Sequence, residues 1–135
     1  MKFPRVLTVL LFSSLLVMNV SAGEEITPSD AAQRVAAGEA VLIDVREPNE
    51  WKDGVAAPAL LLSLSDLRGK RRDWQSALER HRDKELILYC RSGNRSSIAG
   101  QILEKEDFRT RNAGGFAAWR DAGLPVRSPA ATPAP

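Results

Sequence analysis

The sequence has very little cysteine or histidine. Of its 135 residues, one is a cysteine, Cys90, and one is a histidine, His81. A single cysteine cannot form an internal disulfide, so Cys90 is either a buried apolar residue or the chemical centre of the protein. His81 follows a charged helical segment and is interpreted as a surface residue. Cys90 is therefore the first candidate for a reactive residue.

No apolar run is long enough to cross a membrane. The longest run, 6–20, contains several polar residues, whereas a spanning helix needs about 20 predominantly apolar residues. A short basic segment precedes this run and the small residues Ser21 and Ala22 follow it, which is the pattern of a cleaved signal peptide. We predict a signal peptide over 1–22 and a periplasmic or secreted protein without further membrane contact. An uncleaved anchor is the alternative, and a lipoprotein is excluded because no cysteine directly follows the run.

The predicted mature chain has no excess of charge of either sign. Lys2 and Arg5 fall in the predicted signal peptide, so 17 of the 19 basic residues remain against 17 acidic residues. Proteins that bind nucleic acid depend on a surplus of Lys and Arg. We therefore predict no nucleic acid partner.

Apolar runs alternate with helical patterns along the rest of the chain. Strands are predicted over 24–26, 40–45, 59–62, 86–90 and 108–112. Helices are predicted to begin at Thr27, at Pro48, at Ser63 or Ser65 (continuing through Trp74 and Leu78), at Ser96 or Ser97, and at Phe116. Such alternation is typical of an α/β domain with a mainly parallel sheet. One domain is predicted over 23–127, with Trp51 and Trp119 in its core, followed by a disordered Pro/Ala-rich tail over 128–135.

Two predicted strands end in polar residues. Asp44 and Arg46 lie at the end of one strand, and Cys90 lies at the end of another. Ligands of parallel sheets bind beyond the carboxyl ends of the strands, so we expect these residues at one edge of the sheet. Asp44 is expected to pair with an arginine or to accept loop N–H groups, and both Asp44 and Arg46 are predicted to support the site.

The segment after Cys90 is a short polar loop that leads into a helix. Gly93 allows the backbone to turn, so that its N–H groups can face an anion beside a helix N-terminus. Such surroundings lower the pKa of a thiol and favour the thiolate. A thiolate placed there could attack a sulfane sulfur donor, giving a persulfide, or a phosphate ester, giving a phosphocysteine. Arg91 and Arg95 could each attract the anionic substrate.

Three blocks of this sequence resemble the rhodanese family of sulfurtransferases. They are 42–47 with Glu50 and Trp51, the loop 90–96, and 112–115 with Trp119 and 122–126. The resemblance implies a three-layer α/β/α fold with a five-stranded, mainly parallel sheet, and a catalytic cysteine, Cys90, that cycles through a persulfide. The predicted substrate-binding residues are Arg91, Ser92, Gly93, Asn94, Arg95 and Ser96.

The length of the loop separates sulfur transfer from phosphatase chemistry. Related phosphatases have five residues between cysteine and arginine, whereas four separate Cys90 from Arg95. We therefore predict sulfur transfer from thiosulfate or a similar anionic donor to cyanide or a thiol, without a metal or cofactor. The alternatives are a persulfide carrier or binding module that is not an enzyme, and, third, a phosphatase or arsenate reductase with this fold.

The sequence departs from the family pattern in two places. The family commonly has Gly-His-Ile-Pro-Gly-Ala after the Glu-Trp pair, but residues 54–59 lack the histidine and carry the proline one position away. The strand before Gly114 is one residue short. Neither departure changes the loop around Cys90.

Overall fold

The computed structural model describes residues 24–129, along which helices and strands alternate. The helices are α1 (Pro28–Ala36), α2 (Leu64–Arg68), α3 (Trp74–Arg80), α4 (Asn94–Glu104) and α5 (Phe116–Asp121), with a 3-10 turn at Trp51–Asp53. The strands are β1 (Ala40–Asp44), β2 (Val55–Ala56), β3 (Leu60–Leu61), β4 (Glu85–Cys90), β5 (Thr110–Gly115) and β6 (Val126–Arg127). The predicted signal peptide lies outside the described residues, as does the predicted tail beyond Pro129.

The main sheet has four parallel strands in the order β3–β1–β4–β5. The predicted α/β class with a mainly parallel sheet is confirmed, but the predicted fifth strand over 24–26 is reduced to a single bridge between Glu25 and Asn112. The reason is local. Thr27 already caps α1, and Pro28 has no N–H to donate to a neighbouring strand, so the pairing ends at Ile26.

The two central strands are buried along their whole length. Their side chains alternate between the two faces, as strand geometry requires. Val41, Ile43, Leu86, Leu88 and Cys90 pack on one face with α2, α3 and α4, in a cluster that includes Leu67, Trp74 and Leu103. The opposite face packs with α1 and α5 in a cluster that includes Ala31, Leu42, Ile87, Tyr89, Phe116 and Trp119. The sheet therefore lies between two helical layers.

Helix α1 has the ends that its sequence predicts. The Thr27 hydroxyl accepts a hydrogen bond from the N–H of Asp30 at 3.2 Å, and Pro28 occupies the first turn. Gly38 follows the helix with a φ of +74°, a conformation that favours glycine. This helix returns the chain to the start of β1.

The single helix predicted from Ser63 or Ser65 through Leu78 is wrong. Two helices, α2 and α3, are separated by a turn in which Arg71 has a φ of +55°. The Asp66 carboxylate accepts hydrogen bonds from the N–H groups of Arg72 and Asp73, each at 3.0 Å, and these bonds close the turn. Trp74 Nε1 then donates to the Ser63 carbonyl at 2.8 Å, which fixes α3 against the start of α2.

Two further differences concern the segment after β1. The predicted helix begins at Trp51 rather than at Pro48, as one 3-10 turn. Trp51 is only partly buried, so its prediction as a core residue is wrong, whereas Trp119 is buried as predicted.

A small antiparallel sheet that the sequence did not predict ties residues 126–127 to this region. Strands β2 and β6 pair through Val55 with Arg127 and Ala56 with Val126. The Arg127 guanidinium also donates to the carbonyls of Ala57 at 2.9 Å and Ala59 at 2.8 Å. The segment 54–59, where the family histidine is missing, is therefore held by backbone pairing and by an arginine.

Candidate active site

Cys90 is the last residue of β4, and the site forms where β1 and β4 end together. Asp44, the last residue of β1, pairs in register with Tyr89. The predicted meeting of Asp44, Arg46 and Cys90 at one edge of the sheet is therefore present. His81 ends α3 before β4 begins at Glu85, so the length of β4 separates its imidazole from the cysteine.

The Cys90 loop (residues 90–96) enters α4 earlier than predicted. Gly93, with a φ of +90°, precedes the first helical residue, Asn94, and the helix has no side-chain cap. The prediction that Ser96 or Ser97 caps the helix is therefore wrong. The left-handed conformation of Gly93 completes the turn within the loop, and this places Ser96 inside the first helical turn, where it is buried.

Two hydrogen-bond donors lie against the sulfur of Cys90. The N–H of Gly93 donates to Sγ at 3.0 Å, and the hydroxyl of Ser96 lies 3.5 Å from it. Burial raises the pKa of the Cys90 thiol, but hydrogen bonds from the Ser96 hydroxyl and from the N–H groups of Ser96, Ser92 and Gly93 outweigh burial and hold that pKa below its ordinary value. The loop is thus built to carry negative charge on sulfur.

Asn112 of β5 connects the loop to the sheet. Its Nδ2 donates to the Gly93 carbonyl at 2.8 Å, and its Oδ1 accepts from the Ser96 hydroxyl at 2.8 Å and from the Gly114 N–H at 2.9 Å. Asn112 lies in one of the three blocks of the resemblance, but the sequence analysis assigned it no role. Two of its three partners, Gly93 and Ser96, lie 19 and 16 residues away, so no local pattern could have predicted these bonds.

Arg95 forms a bidentate ion pair with Glu50. The Nη1 and Nη2 atoms of Arg95 lie 2.6 and 2.7 Å from the two carboxylate oxygens of Glu50. Hydrogen bonding to Arg95 lowers the pKa of Glu50 to about 2, against the effect of burial. The hydrogen bond with Glu50, and to a lesser degree the charge of Cys90, raises the pKa of Arg95. Glu50, for which the sequence analysis predicts no role, therefore fixes the guanidinium that is predicted to attract substrate.

Arg91, Ser92 and Asn94 are exposed. Arg91 makes no ion pair with any residue that the structure describes. It lines a cleft of about 680 Å³, whose wall also includes Glu50, Asp53, Phe116 and Arg120. A second cleft of about 440 Å³, on the side of Ser92 and Gly93, is lined by Asn112, Ala113 and Gly114. Cys90 itself has no exposed surface.

The junction of β5 and α5 touches the loop directly. The pairing of β4 with β5 shifts between Leu88 and Cys90, so that β5 carries one extra residue before Gly115 pairs with Cys90. A Cβ atom on Gly115 would overlap the carbonyl oxygen of Arg91. Glycine is therefore required at position 115 by the close approach of the two backbones.

Asp44 and Arg46 form a buried ion pair. Arg46 Nη2 lies 2.7 Å from Asp44 Oδ2 and donates to the Gly54 carbonyl at 2.9 Å, while the Arg46 N–H donates to Asp44 Oδ1 at 2.9 Å. The guanidinium also lies 4.4 Å from the centre of the Phe116 ring. The pair joins β1, the segment at Gly54 and α5, and neither side chain contacts Cys90.

Comparison with known proteins gives consistent matches. The family model described as "Rhodanese-like domain" matches residues 27–122. A protein of Allochromatium vinosum named "Sulfurtransferase" is 34% identical over 108 residues, which are 78% of this chain and 95% of that protein. The crystal structure of a rhodanese-related protein from Thermoplasma volcanium is 28% identical with a TM-score of 0.64, over 77% of this chain and 97% of that one. A Rhodopseudomonas palustris structure described as a "Possible Tyrosine Phosphatase" is also 28% identical with a TM-score of 0.64, over 78% of this chain and 85% of that one.

Proposed function

The chain belongs to the rhodanese-like domain family, and on this basis we propose that it moves sulfane sulfur from an anionic donor to an acceptor through a persulfide on Cys90. The observation that carries the proposal is the position of the sulfur, which lies against the Gly93 N–H and the Ser96 hydroxyl. These donors favour the thiolate, so no general base is needed to activate it.

In the first step, the Cys90 thiolate attacks the outer sulfur of thiosulfate or a similar donor. A new S–S bond forms on Cys90, the S–S bond of the donor breaks, and sulfite leaves with the bonding electron pair. Arg91, which is exposed and makes no ion pair with any described residue, is the cation that we assign to attract the sulfonate end of the donor. The negative charge then resides on the outer sulfur of the persulfide.

In the second step, an acceptor takes this outer sulfur. Cyanide or a thiolate attacks it, the S–S bond on Cys90 breaks, and the Cys90 thiolate is restored as thiocyanate or a new persulfide leaves. The loop N–H groups stabilise the thiolate both as the attacking group and as the leaving group. The reaction needs neither an oxidant nor a metal.

A phosphatase is the second candidate, because the Rhodopseudomonas palustris neighbour carries that description. Phosphoryl transfer needs room for three oxygens of the phosphate inside the loop. The short spacing between Cys90 and Arg95, together with the ion pair that already occupies Arg95, favours sulfur transfer.

Mass spectrometry after incubation with thiosulfate tests the proposal. The expected result is a gain of one sulfur atom on the wild-type chain, reversed by cyanide or dithiothreitol, and no gain on Cys90→Ser. Absence of the gain on the wild type would contradict persulfide chemistry. Repeated turnover with cyanide or a thiol identifies an enzyme, a single unreleased sulfur identifies a carrier, and hydrolysis of p-nitrophenyl phosphate that depends on Cys90 favours the phosphatase.

We also propose that the protein is exported by a signal peptide over 1–22, on the sequence pattern alone. No helix among the described residues has the length and apolar character needed to span a bilayer. The intact mass of the protein recovered from the periplasm or medium should correspond to a chain beginning at Gly23. A mass that retains the first 22 residues in the membrane fraction would indicate an anchor instead.

A further inference from the structure

The backbone of Asn112 is hydrogen-bonded on both sides, which fixes the point from which its side chain reaches the Cys90 loop. Asn112 pairs with Leu88 of β4 on one side. On the other side its N–H donates to the Glu24 carbonyl at 2.9 Å, and its carbonyl accepts from the Ile26 N–H at 3.0 Å. The amide is thus presented from a backbone that is hydrogen-bonded on both edges.

Two of the three groups bound by the Asn112 amide are the groups that contact Cys90. Nδ2 holds the carbonyl of Gly93, whose N–H points at Sγ, and Oδ1 holds the hydroxyl of Ser96. We propose that Asn112 is a positioning residue for the Cys90 thiolate, acting through Gly93 and Ser96. The proposal rests on the proposed function only for what the thiolate is used for. The thiolate itself can be measured without any sulfur donor.

The single proton of the Ser96 hydroxyl explains how the arrangement responds to the charge of Cys90. Ser96 Oγ lies 2.8 Å from Asn112 Oδ1 and 3.5 Å from Cys90 Sγ. With a neutral thiol, the hydroxyl donates to Asn112 and can accept the S–H. When the thiolate forms, the hydroxyl turns to donate to sulfur, a stronger charge-assisted bond. Asn112 Oδ1 keeps its bond from the Gly114 N–H in both states.

Asn112→Asp is the sharpest test. The substitution keeps the size of the side chain and its acceptor oxygen, but removes the donor to Gly93 and places negative charge beside the loop. We expect the pKa of Cys90 to rise by about one unit, so that alkylation by iodoacetamide becomes about tenfold slower below that pKa. The rate on the alkaline plateau should be unchanged, since the nucleophile there is the same thiolate.

Three further variants test whether the change in the pKa of Cys90 is specific to Asn112 and its partners. Gln101→Glu is the matched amide-to-acid control, on an exposed position of α4, and should leave the pH profile of alkylation unchanged. Ser96→Ala should raise the pKa in the same direction as Asn112→Asp. Asn112→Ala should also raise it, because the Gly93 carbonyl loses its donor. The shift in the Ser96→Ala/Asn112→Ala double variant should not equal the sum of the single shifts, because Asn112 Oδ1 competes with sulfur for the Ser96 proton.

An unchanged pH profile in folded Asn112→Asp overturns the proposal, as does an equal shift in Gln101→Glu. If Asn112→Asp does not fold, by circular dichroism, the profile of Asn112→Ala decides in its place. Failure of the wild type to form a persulfide from thiosulfate would instead overturn the proposed function, and would leave the alkylation profiles, and so the role of Asn112, standing.

Discussion

At the scale of single residues, the charges around Cys90 are arranged in pairs. Asp44 pairs with Arg46, and Glu50 pairs with Arg95, while Arg91 is left exposed. Buried or half-buried charges are costly unless they are paired. Because they are paired, these charged side chains can lie near the buried sulfur of Cys90 at a low energetic cost. The pairing also leaves Arg91 as the charged side chain that is available to a substrate.

Replacing Arg95 should affect chemistry more than stability. Arg95→Ala removes a cation that faces the Cys90 thiolate, and we expect kcat/KM for thiosulfate to fall by about tenfold, equivalent to about 1.4 kcal/mol. The loss of a partly exposed ion pair should lower the free energy of unfolding by only about 0–1 kcal/mol. Arg34→Ala, which removes a comparably exposed arginine paired with Glu39 and Glu85, is the control. It should leave kcat/KM unchanged, and unchanged kinetics in Arg95→Ala would contradict the prediction.

Glu50 should make the protein sensitive to acid. Its pKa is lowered to about 2 in the folded protein by Arg95, below the unfolded value of about 4.3. Its contribution is therefore fully present above pH ~4.3 and is lost as the pH falls toward 2. Because Glu50 is partly exposed, we expect about 1 kcal/mol from this pair. Glu50→Gln should lower stability by that amount at neutral pH and converge with the wild type near pH 2, in urea unfolding at a series of pH values. Parallel curves would refute this assignment.

At the scale of secondary-structure elements, the site is the meeting of two turns. One follows β4 and contains Gly93, and the other is the bulged end of β5, which contains Gly115. The bulge brings Gly115 against the carbonyl of Arg91 in the Cys90 loop. The shape of the loop is thus set partly by a segment that is distant in sequence.

Gly115→Ala should distort the Cys90 loop. The new Cβ would overlap the Arg91 carbonyl, and overpacking of this kind costs about 1–3 kcal/mol. We expect sulfur transfer to fall at least about tenfold in parallel, because the N–H groups of the loop move away from Sγ. Gly123→Ala, where φ is +71° and the space is open, should cost about 1 kcal/mol through backbone strain alone and retain activity. Thermal unfolding and thiosulfate assays of the two variants, compared at a temperature where both are folded, separate loop distortion from general destabilisation.

At the scale of the whole molecule, strand β6 is held to the segment 54–59, which is about 70 residues away in the chain. Arg127 donates to two carbonyls of the segment 54–59 and lies on β6, which pairs with β2. We expect Arg127→Ala to lower the free energy of unfolding by about 1–3 kcal/mol, the usual cost of leaving buried or half-buried acceptors without partners. Arg109→Ala, which removes one exposed hydrogen bond to Asp83, should change it by less than about 0.5 kcal/mol. Equal midpoints in denaturant would contradict a role for Arg127.

The sequence predicts this architecture wherever the signal is local. The apolar runs of β1 and β4, the cap at Thr27 and the polar residues at the strand ends are all readable within a few residues. What it misses depends on contacts between distant segments. Glu50 reaches Arg95, and Asn112 reaches Gly93 and Ser96. Asp66 is a separate case, because it closes a turn only six and seven residues away, within a pattern that predicts one continuous helix. A single sequence has no periodicity that records such pairings.

The complete burial of Cys90 has a consequence for how fast the protein is oxidised. Oxidation of a cysteine to sulfenic acid and beyond follows thiolate character and exposure, and here the thiolate is favoured while exposure is absent. A small oxidant must reach the resting sulfur by the access that the proposed sulfur donor also needs, so we expect slower oxidation than for an exposed thiolate of equal pKa. A persulfide adds an outer sulfur about 2.05 Å from Sγ, and this added atom carries the negative charge. Each turnover would thus alternate between a buried resting sulfur and a loaded sulfur with a second site of oxidation, and the supply of acceptor would set how long the loaded form persists.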